Sequence, residues 1–165
     1  MLTAICIPTV PGNEEVLKKC IDSLKKVLGE RNDYFIHIEL NDFIGFGKAC
    51  NKEIKKVLEN KEVDGVLLVN DDMEVIDEGR GFLDTMRQIS DLNKGIVADP
   101  NLHRFVENVD HIAMGFTYLP RYIIEEVGLF DEQFAMLEWE DVDMSVRILE
   151  AGYTLNSIQF RIAVH

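Results

Sequence analysis

Apolar positions along this chain switch repeatedly between a strand-like and a helix-like spacing. Leu2 to Ile7 is a short, mostly apolar run that predicts a strand, broken by Pro8, Pro11 and Gly12. Asn13 then stands where a helix N-cap is expected, with Glu14 and Glu15 in the first turn. Val16, Leu17, Cys20, Ile21, Leu24, Val27 and Leu28 follow at helical spacing as its buried stripe, and Gly29 is the stop. Tyr34 to Ile38 predicts a second strand. A loop containing Gly45 and Gly47 leads to a helix that buries Cys50, Ile54, Val57 and Leu58. Val66 to Val69 predicts a third strand, Phe82, Leu83, Met86 and Ile89 another helix, Gly95 to Ala98 a strand, and Ile112 to Leu119 a further one. Strands alternating with helices in this way predict an α/β fold with a central, mostly parallel sheet.

Two clusters of acids interrupt the pattern. Val66, Leu67, Leu68 and Val69 suit a strand buried on both faces, and they run directly into Asn70, Asp71 and Asp72. The ends of parallel strands are where open α/β sheets bind ligands, and adjacent carboxylates there suit a hard divalent cation held against a phosphorylated substrate. The same residues also suit an ordinary Asx turn. The second cluster is Glu138, Trp139, Glu140, Asp141, Val142 and Asp143, which opens a helix ending before Gly152. Val142, Val146 and Leu149 form its expected buried stripe, with Asp141 and Asp143 to either side. Asp143 lies four residues before Arg147 and is expected to pair with it, which leaves Asp141 without a helical partner. Acids in a first turn satisfy the helix dipole, but four in six residues exceed that need.

Composition narrows the field. The chain of 165 residues is 47% hydrophobic and 28% charged, as expected of one globular domain. A net charge of −13 argues against a nucleic-acid partner, because there is no basic track to replace phosphate counterions. Cys6, Cys20 and Cys50 are odd in number and sit at apolar positions, so they are expected as reduced core thiols. Residues 1–10 carry no basic leader, and no apolar run approaches the roughly 20 residues that span a bilayer. A cytoplasmic protein without a transmembrane segment is therefore expected.

Taken in order, the opening strand with Pro8, the stretch from Gly45 through Lys48 to Asn51, the Asn70, Asp71, Asp72 tip, the segment Val127 to Phe134, and the Glu140 to Asp143 run with Arg147 and Gly152 resemble family-two inverting glycosyltransferases of the GT-A fold. The resemblance implies a three-layer, nucleotide-diphospho-sugar transferase-like domain. Its nucleotide-binding half would cover about residues 1–98 and its sugar and acceptor half about 99–165. It implies that Asp72 binds the metal and that Asp71 contacts the ribose or shares the metal shell. Pro8, Thr9 and Val10 would lie along the base, with either Glu39 or Asp42 accepting from it. Asn51 and Glu140 fall within the matching motifs and are expected at the nucleotide or sugar. Trp139 either packs in the core or stacks on a sugar ring.

The resemblance further makes Asp141 the catalytic base and His165 a metal ligand at the end of the strand-like segment Phe160 to Val164. A nitrogen ligand would favour Mn²⁺ over Mg²⁺. His37, His103 and His111 are read as non-ligands, the last two flanking a polar loop from Asp99 to Asp110 that borders the sugar. The expected activity is transfer of a hexose-type sugar from a UDP-, GDP- or dTDP-sugar to a saccharide, lipid or protein hydroxyl. The alternative is a non-catalytic nucleotide-sugar-binding module of the same fold. The chain is short for this family, so a partner or a second copy, as in a homo-oligomer, is expected to complete the acceptor side unless the enzyme is a minimal one.

Overall fold

The computed structural model describes residues 1–76, 81–106, 109–134 and 139–164. The chain runs β1 (Leu2–Thr9), α1 (Glu14–Leu28), β2 (Tyr34–Leu40), α2 (Phe46–Val57), β3 (Val63–Val69) and β4 (Glu74–Val75). It continues through α3 (Phe82–Asn93), β5 (Gly95–Ala98), a single 3₁₀ turn (Pro100–Leu102), β6 (His103–Val106), β7 (Val109–Ile112) and β8 (Phe116–Pro120). It ends with α4 (Arg121–Val127), α5 (Glu140–Glu150), β9 (Thr154–Ser157) and β10 (Ala163–Val164).

Six strands form the central sheet in the order β2-β1-β3-β8-β5-β9. Pairs β1/β2, β1/β3 and β5/β9 are parallel, and β8 is antiparallel to both of its neighbours. Five strands therefore present their carboxyl ends at one edge of the sheet. β8 presents its amino end there.

Successive residues of the central strands feed two separate cores, because side chains alternate across a sheet. Ala4, Cys6, Val66 and Leu68 pack under α2, α4 and α5, through Cys50, Ile54, Ile123, Ile124, Met144 and Ile148. Ile5, Ile7, Leu67 and Val69 pack under α1 and α3, through Cys20, Leu24, Phe82, Leu83 and Met86. The result is the three-layer α/β sandwich. No helix among the described residues is long and apolar enough to cross a membrane.

Several local expectations change in the structure. Val16 is 40% exposed rather than buried. The run from Ile112 to Leu119 is two strands, β7 and β8, separated around Gly115. The expected polar loop from Asp99 to Asp110 is a 3₁₀ turn followed by a hairpin of β6 on β7. Gly47 lies inside α2 rather than before it. Helix α5 buries Met144, Ser145 and Ile148 in place of Val142, Val146 and Leu149. That rotation carries Asp141, one turn before Ser145, toward the protein rather than to the flank.

The opposite edge of the sheet is fastened by charge. Buried Arg87 of α3 donates to Thr3 Oγ1 from Nε (3.0 Å) and Nη2 (2.8 Å), and to Asp33 Oδ2 from Nη1 (2.6 Å). Arg31 pairs with Asp33 (2.6 Å) and Asp84 (2.7 Å). Hydrogen bonds from Arg31, reinforced by Arg87, hold the Asp33 carboxyl far below the usual carboxylate range, and Asp84 is lowered by the same pair of arginines. Depressed folded-state values contribute stability that is present above the unfolded value of 3.8 and lost as pH falls through the folded value. Arg87→Ala leaves the buried Thr3 hydroxyl without its donors and Asp33 with Arg31 alone, so urea unfolding at pH 7 should report a loss of about 2 kcal/mol, with a weaker dependence on pH on the acid side. A loss below about 1 kcal/mol would mean the network carries little of the fold.

Candidate active site

The acidic tip after β3 is braced from three directions. Asn70 N–H donates to Gly115 O (2.8 Å). A side chain at Gly115 would begin 2.9 Å from Asn70 Nδ2 and would displace the Asn70 amide. Asp71 Oδ2 accepts from Thr9 Oγ1 of β1 (2.6 Å) and from Asn13 Nδ2 (2.9 Å). The Asn13 side chain therefore serves Asp71 and makes no hydrogen bond to cap α1. Behind the tip, the Cys20 thiol lies 3.7 Å from Asn70 O. Burial, with Asp71 and Asp72 nearby, pushes that thiol up to about 12, which leaves it inert as a nucleophile.

Asp71 and Asp72 open onto a pocket of about 320 Å³. Pro8, Thr9 and Val10 line it, together with the apolar side chains of Phe43, Ile44, Phe46 and Ala49. Asn41, just past β2, is the residue that sequence reasoning missed. It is 2% exposed, its N–H donates to Thr9 O (2.8 Å), and its Nδ2 donates to Glu39 O (2.9 Å). That orientation leaves Oδ1, a buried acceptor without a hydrogen-bond partner, on a residue that lines the pocket. Buried acceptors of this kind are costly unless something donates to them.

Neither acid expected near the base lines the pocket. Glu39 is engaged by Lys52 (2.5 Å) and His37 (3.6 Å), and the Lys52 hydrogen bond lowers its carboxyl below the ordinary range. Asp42 points outward and is exposed. Asn51 is buried and serves the scaffold: its Nδ2 donates to Phe130 O (2.9 Å) and Glu132 Oε1 (3.0 Å), while its Oδ1 accepts from Phe130 N–H (2.9 Å).

The amino end of α5 adjoins the pocket through α2. A Cβ built on Gly47 would lie 3.2 Å from Phe130 Cβ and 3.6 Å from Glu140 Cβ, so the helix turn that contributes Phe46 and Ala49 rests directly on Glu140. Glu140 is buried, and its Oε2 has no hydrogen-bond partner. Trp139 is 57% exposed, which removes the core reading and leaves the indole facing solvent beside the acids. Arg147 pairs with Asp143 (2.8 Å) as expected and also donates to Val127 O and Leu129 O (2.9 Å each), tying down the segment that leads to Phe130.

Asp141 is half-buried, and its Oδ1 accepts from Val142 N–H (2.8 Å). Burial raises its carboxyl above the ordinary value of 3.8, Glu140 adds to the rise, and the Val142 hydrogen bond and His111 oppose it. His111, which the sequence reading set aside, is buried on β7, where the next residue, Ile112, donates its N–H to Ser145 Oγ of α5 (3.1 Å).

On the far side of the tip, Asp99 at the end of β5 is buried and fully bonded. Its Oδ2 accepts from Ile162 N–H (2.7 Å) and Ala163 N–H (3.1 Å), and its Oδ1 accepts from Asn101. This anchors β10, whose Val164 stands opposite Glu74, two residues beyond Asp72. His165 lies outside the described residues. Among those described, no group of three His, Cys, Asp or Glu side chains is able to hold a metal. Asp71 and Asp72 supply only hard oxygen donors, a set that fits Mg²⁺ or Mn²⁺ when substrate phosphates complete the shell.

No protein-family model matches this chain, and no curated protein matches it in sequence. Solved structures do match it in fold. A variant of Drosophila β1,4-galactosyltransferase 7 in complex with manganese, UDP-Gal and xylobiose superposes with a TM-score of 0.68 at 17% identity, covering 99% of this chain and 69% of that one. S. aureus TarS gives 0.68 at 13% identity over 99% of this chain and 36% of its own. A197 from STIV gives 0.63 at 19% identity, covering 100% and 85%. The chain has the fold of the GT-A glycosyltransferases.

The raised Asp141 carboxyl makes a checkable statement about stability. A raised folded-state value contributes stability that is full below the unfolded value and lost as pH rises through the folded one. Asp141→Asn should therefore unfold at a higher temperature than the parent at pH 7, and carbon-detected NMR should find the Asp141 carboxyl titrating above 3.8. In His111→Gln that midpoint should move higher still. An unchanged midpoint would detach His111 from Asp141.

Proposed function

We propose that this chain is a metal-dependent, inverting glycosyltransferase that moves a sugar from a nucleoside-diphosphate sugar to an acceptor hydroxyl. The observation that carries the reading is the pocket itself, which is lined both by Asn41, whose Oδ1 is a buried acceptor without a hydrogen-bond partner, and by the Asp71 and Asp72 carboxylates. At about 320 Å³ it has the size of a small-ligand site, and its apolar wall of Phe43, Ile44 and Phe46 suits a planar base. Asn41, rather than Glu39 or Asp42, accepts an N–H from that base. In this reading the nucleotide half runs to about residue 98 and the acceptor half from about 99.

Asp72, with Asp71 in reach of the ribose or the same shell and His165 at the end of the chain, would hold the cation. When bound, Mn²⁺ or Mg²⁺ supplies Lewis acidity that stabilises the departing diphosphate. Thr9 and Asn13 fix Asp71, so the protein keeps the tip in one geometry while charge builds on the leaving group. Asp141 accepts the acceptor hydroxyl proton as the new carbon–oxygen bond forms and the anomeric bond to the diphosphate breaks on the opposite face, which inverts the anomeric centre. Exposed Trp139 offers an apolar face to the acceptor sugar. Three buried thiols and the nucleotide-sugar supply fit work in the cytosol.

Donor binding followed by calorimetry should need a divalent cation and weaken about tenfold or more in Asp72→Asn. Equal affinity with and without chelator would contradict the metal's role. Asp141→Asn should keep donor binding and lose about 10²-fold in transfer across a panel of nucleotide sugars and simple acceptors. Wild-type binding without any turnover across that panel would leave a non-catalytic binding module.

Asn41 makes a separate prediction about the base. UDP should bind about tenfold more tightly than CDP, whose base lacks the imide N–H, since an unmet buried acceptor costs about 1 kcal/mol or more. In Asn41→Leu that preference should vanish. Equal binding of the two nucleotides by the parent protein would remove Asn41 from the base site.

A further inference from the structure

Helix α2 carries an acid on its inward face. Glu53 is 0% exposed, three residues from Cys50 and facing Cys6 of β1, among the apolar side chains that pack around those thiols. Its Oε1 accepts from Glu39 N–H (3.2 Å), and its Oε2 is buried without a hydrogen-bond partner. Burial pushes this carboxyl up to about 8, with the Glu39 carboxylate adding to the rise and the Glu39 N–H, Cys6 and Lys52 opposing it. At neutral pH it is therefore protonated, which is the form an apolar site tolerates.

Two segments that line the pocket are joined through this carboxyl. Its own helix supplies Phe46 and Ala49, and the strand it grips runs from Glu39 into Asn41, Phe43 and Ile44. We propose that Glu53 is a positioning residue for the nucleotide pocket: its neutral carboxyl ties α2 to the end of β2, and loss of its proton loosens that tie and weakens nucleotide binding. The binding half of this inference rests on the nucleotide reading given above. Ionising Glu53 places a charge in a fully buried site where one carboxylate oxygen has no hydrogen-bond partner, a cost that parting α2 from β2 to admit water would relieve.

The groups around Glu53 offset that cost only in part, and burial outweighs them. β1 brings the Cys6 thiol, and β2 brings the Glu39 carboxylate with His37 beside it. α2 brings Cys50 and Lys52, whose ammonium is engaged by Glu39 at 2.5 Å. α5 brings Glu140 up to Cys50 from behind. β3 contributes Val66 and Leu68. The charges of Glu39 and Lys52 act on Glu53 in opposite senses, so burial is what favours the neutral carboxyl.

The test is an NMR titration of the whole chain without ligand from pH 6 to 9.5. The Glu53 carboxyl carbon and the Glu39 and Asn41 amides should share a transition near pH 8, absent from the amides of Glu53→Gln, which keeps the acceptor but cannot ionise. UDP affinity with Mg²⁺ should fall about threefold or more from pH 7 to pH 9 in the parent and stay flat in Glu53→Gln. A Glu53 carboxyl titrating near 4.5, amides that do not move, or the same amide transition in Glu53→Gln would overturn the proposal. A UDP affinity that falls equally in both proteins would overturn the link to the pocket. If UDP binds neither protein at any pH, the nucleotide reading fails, and the amide transition alone decides whether Glu53 ties α2 to β2.

Discussion

The site depends on a strand that is buried on both faces and must release its polar end in a single turn. Along β3, Val66 to Val69 have apolar neighbours on either side of the sheet, so no charge is tolerable until the chain emerges. When it does, Asn70 is caught by Gly115, just before β8, and Asp71 by Thr9 at the end of β1 and Asn13 just before α1. The carboxylates are therefore fixed by the same sheet whose core excludes them. Parallel neighbours bring the ends of β1 and β2 to the same edge, which is why a pocket forms there.

Two glycines and a set of buried polar side chains set the distances within the site. Gly115 leaves room for the Asn70 amide, and Gly47 allows α2 to rest on Phe130 and Glu140. Asn51 of α2 and Arg147 of α5 both bond the chain between Val127 and Phe130, so the two helices are tied to one segment. Asp99 performs the same service for the last strand, laying β10 beside β4 just past Asp72. None of these side chains need touch a ligand for its loss to disturb the site.

Legibility in the sequence followed burial. The central strands and α1 to α3 were readable because their apolar runs face cores on both sides of the sheet, where hydrophobic spacing is the dominant constraint. The tip at Asp71 and Asp72 was readable because charge so abruptly ends an apolar strand. Asn13 looked like a cap, but a carboxylate partner competes better for its amide than a backbone N–H does. The face of α5 was misjudged because Ser145, a polar residue, docks on β7 and so turns Met144 and Ile148 inward. At the end of β2, Glu39 pairs with Lys52 and Asp42 is exposed, while the neutral Asn41 lines the pocket with a buried acceptor that has no hydrogen-bond partner, a feature that only geometry reveals. His111 was similarly unreadable, since its relation to Asp141 arises from packing between a hairpin and a helix some 30 residues apart.

The central claim, that a cation and a diphosphate meet at Asp72 within this pocket, is tested most directly by paramagnetic broadening. With UDP present, substoichiometric Mn²⁺ should selectively bleach the amide signals of Asn70 to Met73 and of Thr9 to Asn13, while the β6–β7 hairpin keeps its intensity. Broadening centred elsewhere, or the same pattern of equal strength when UDP is omitted, would contradict it.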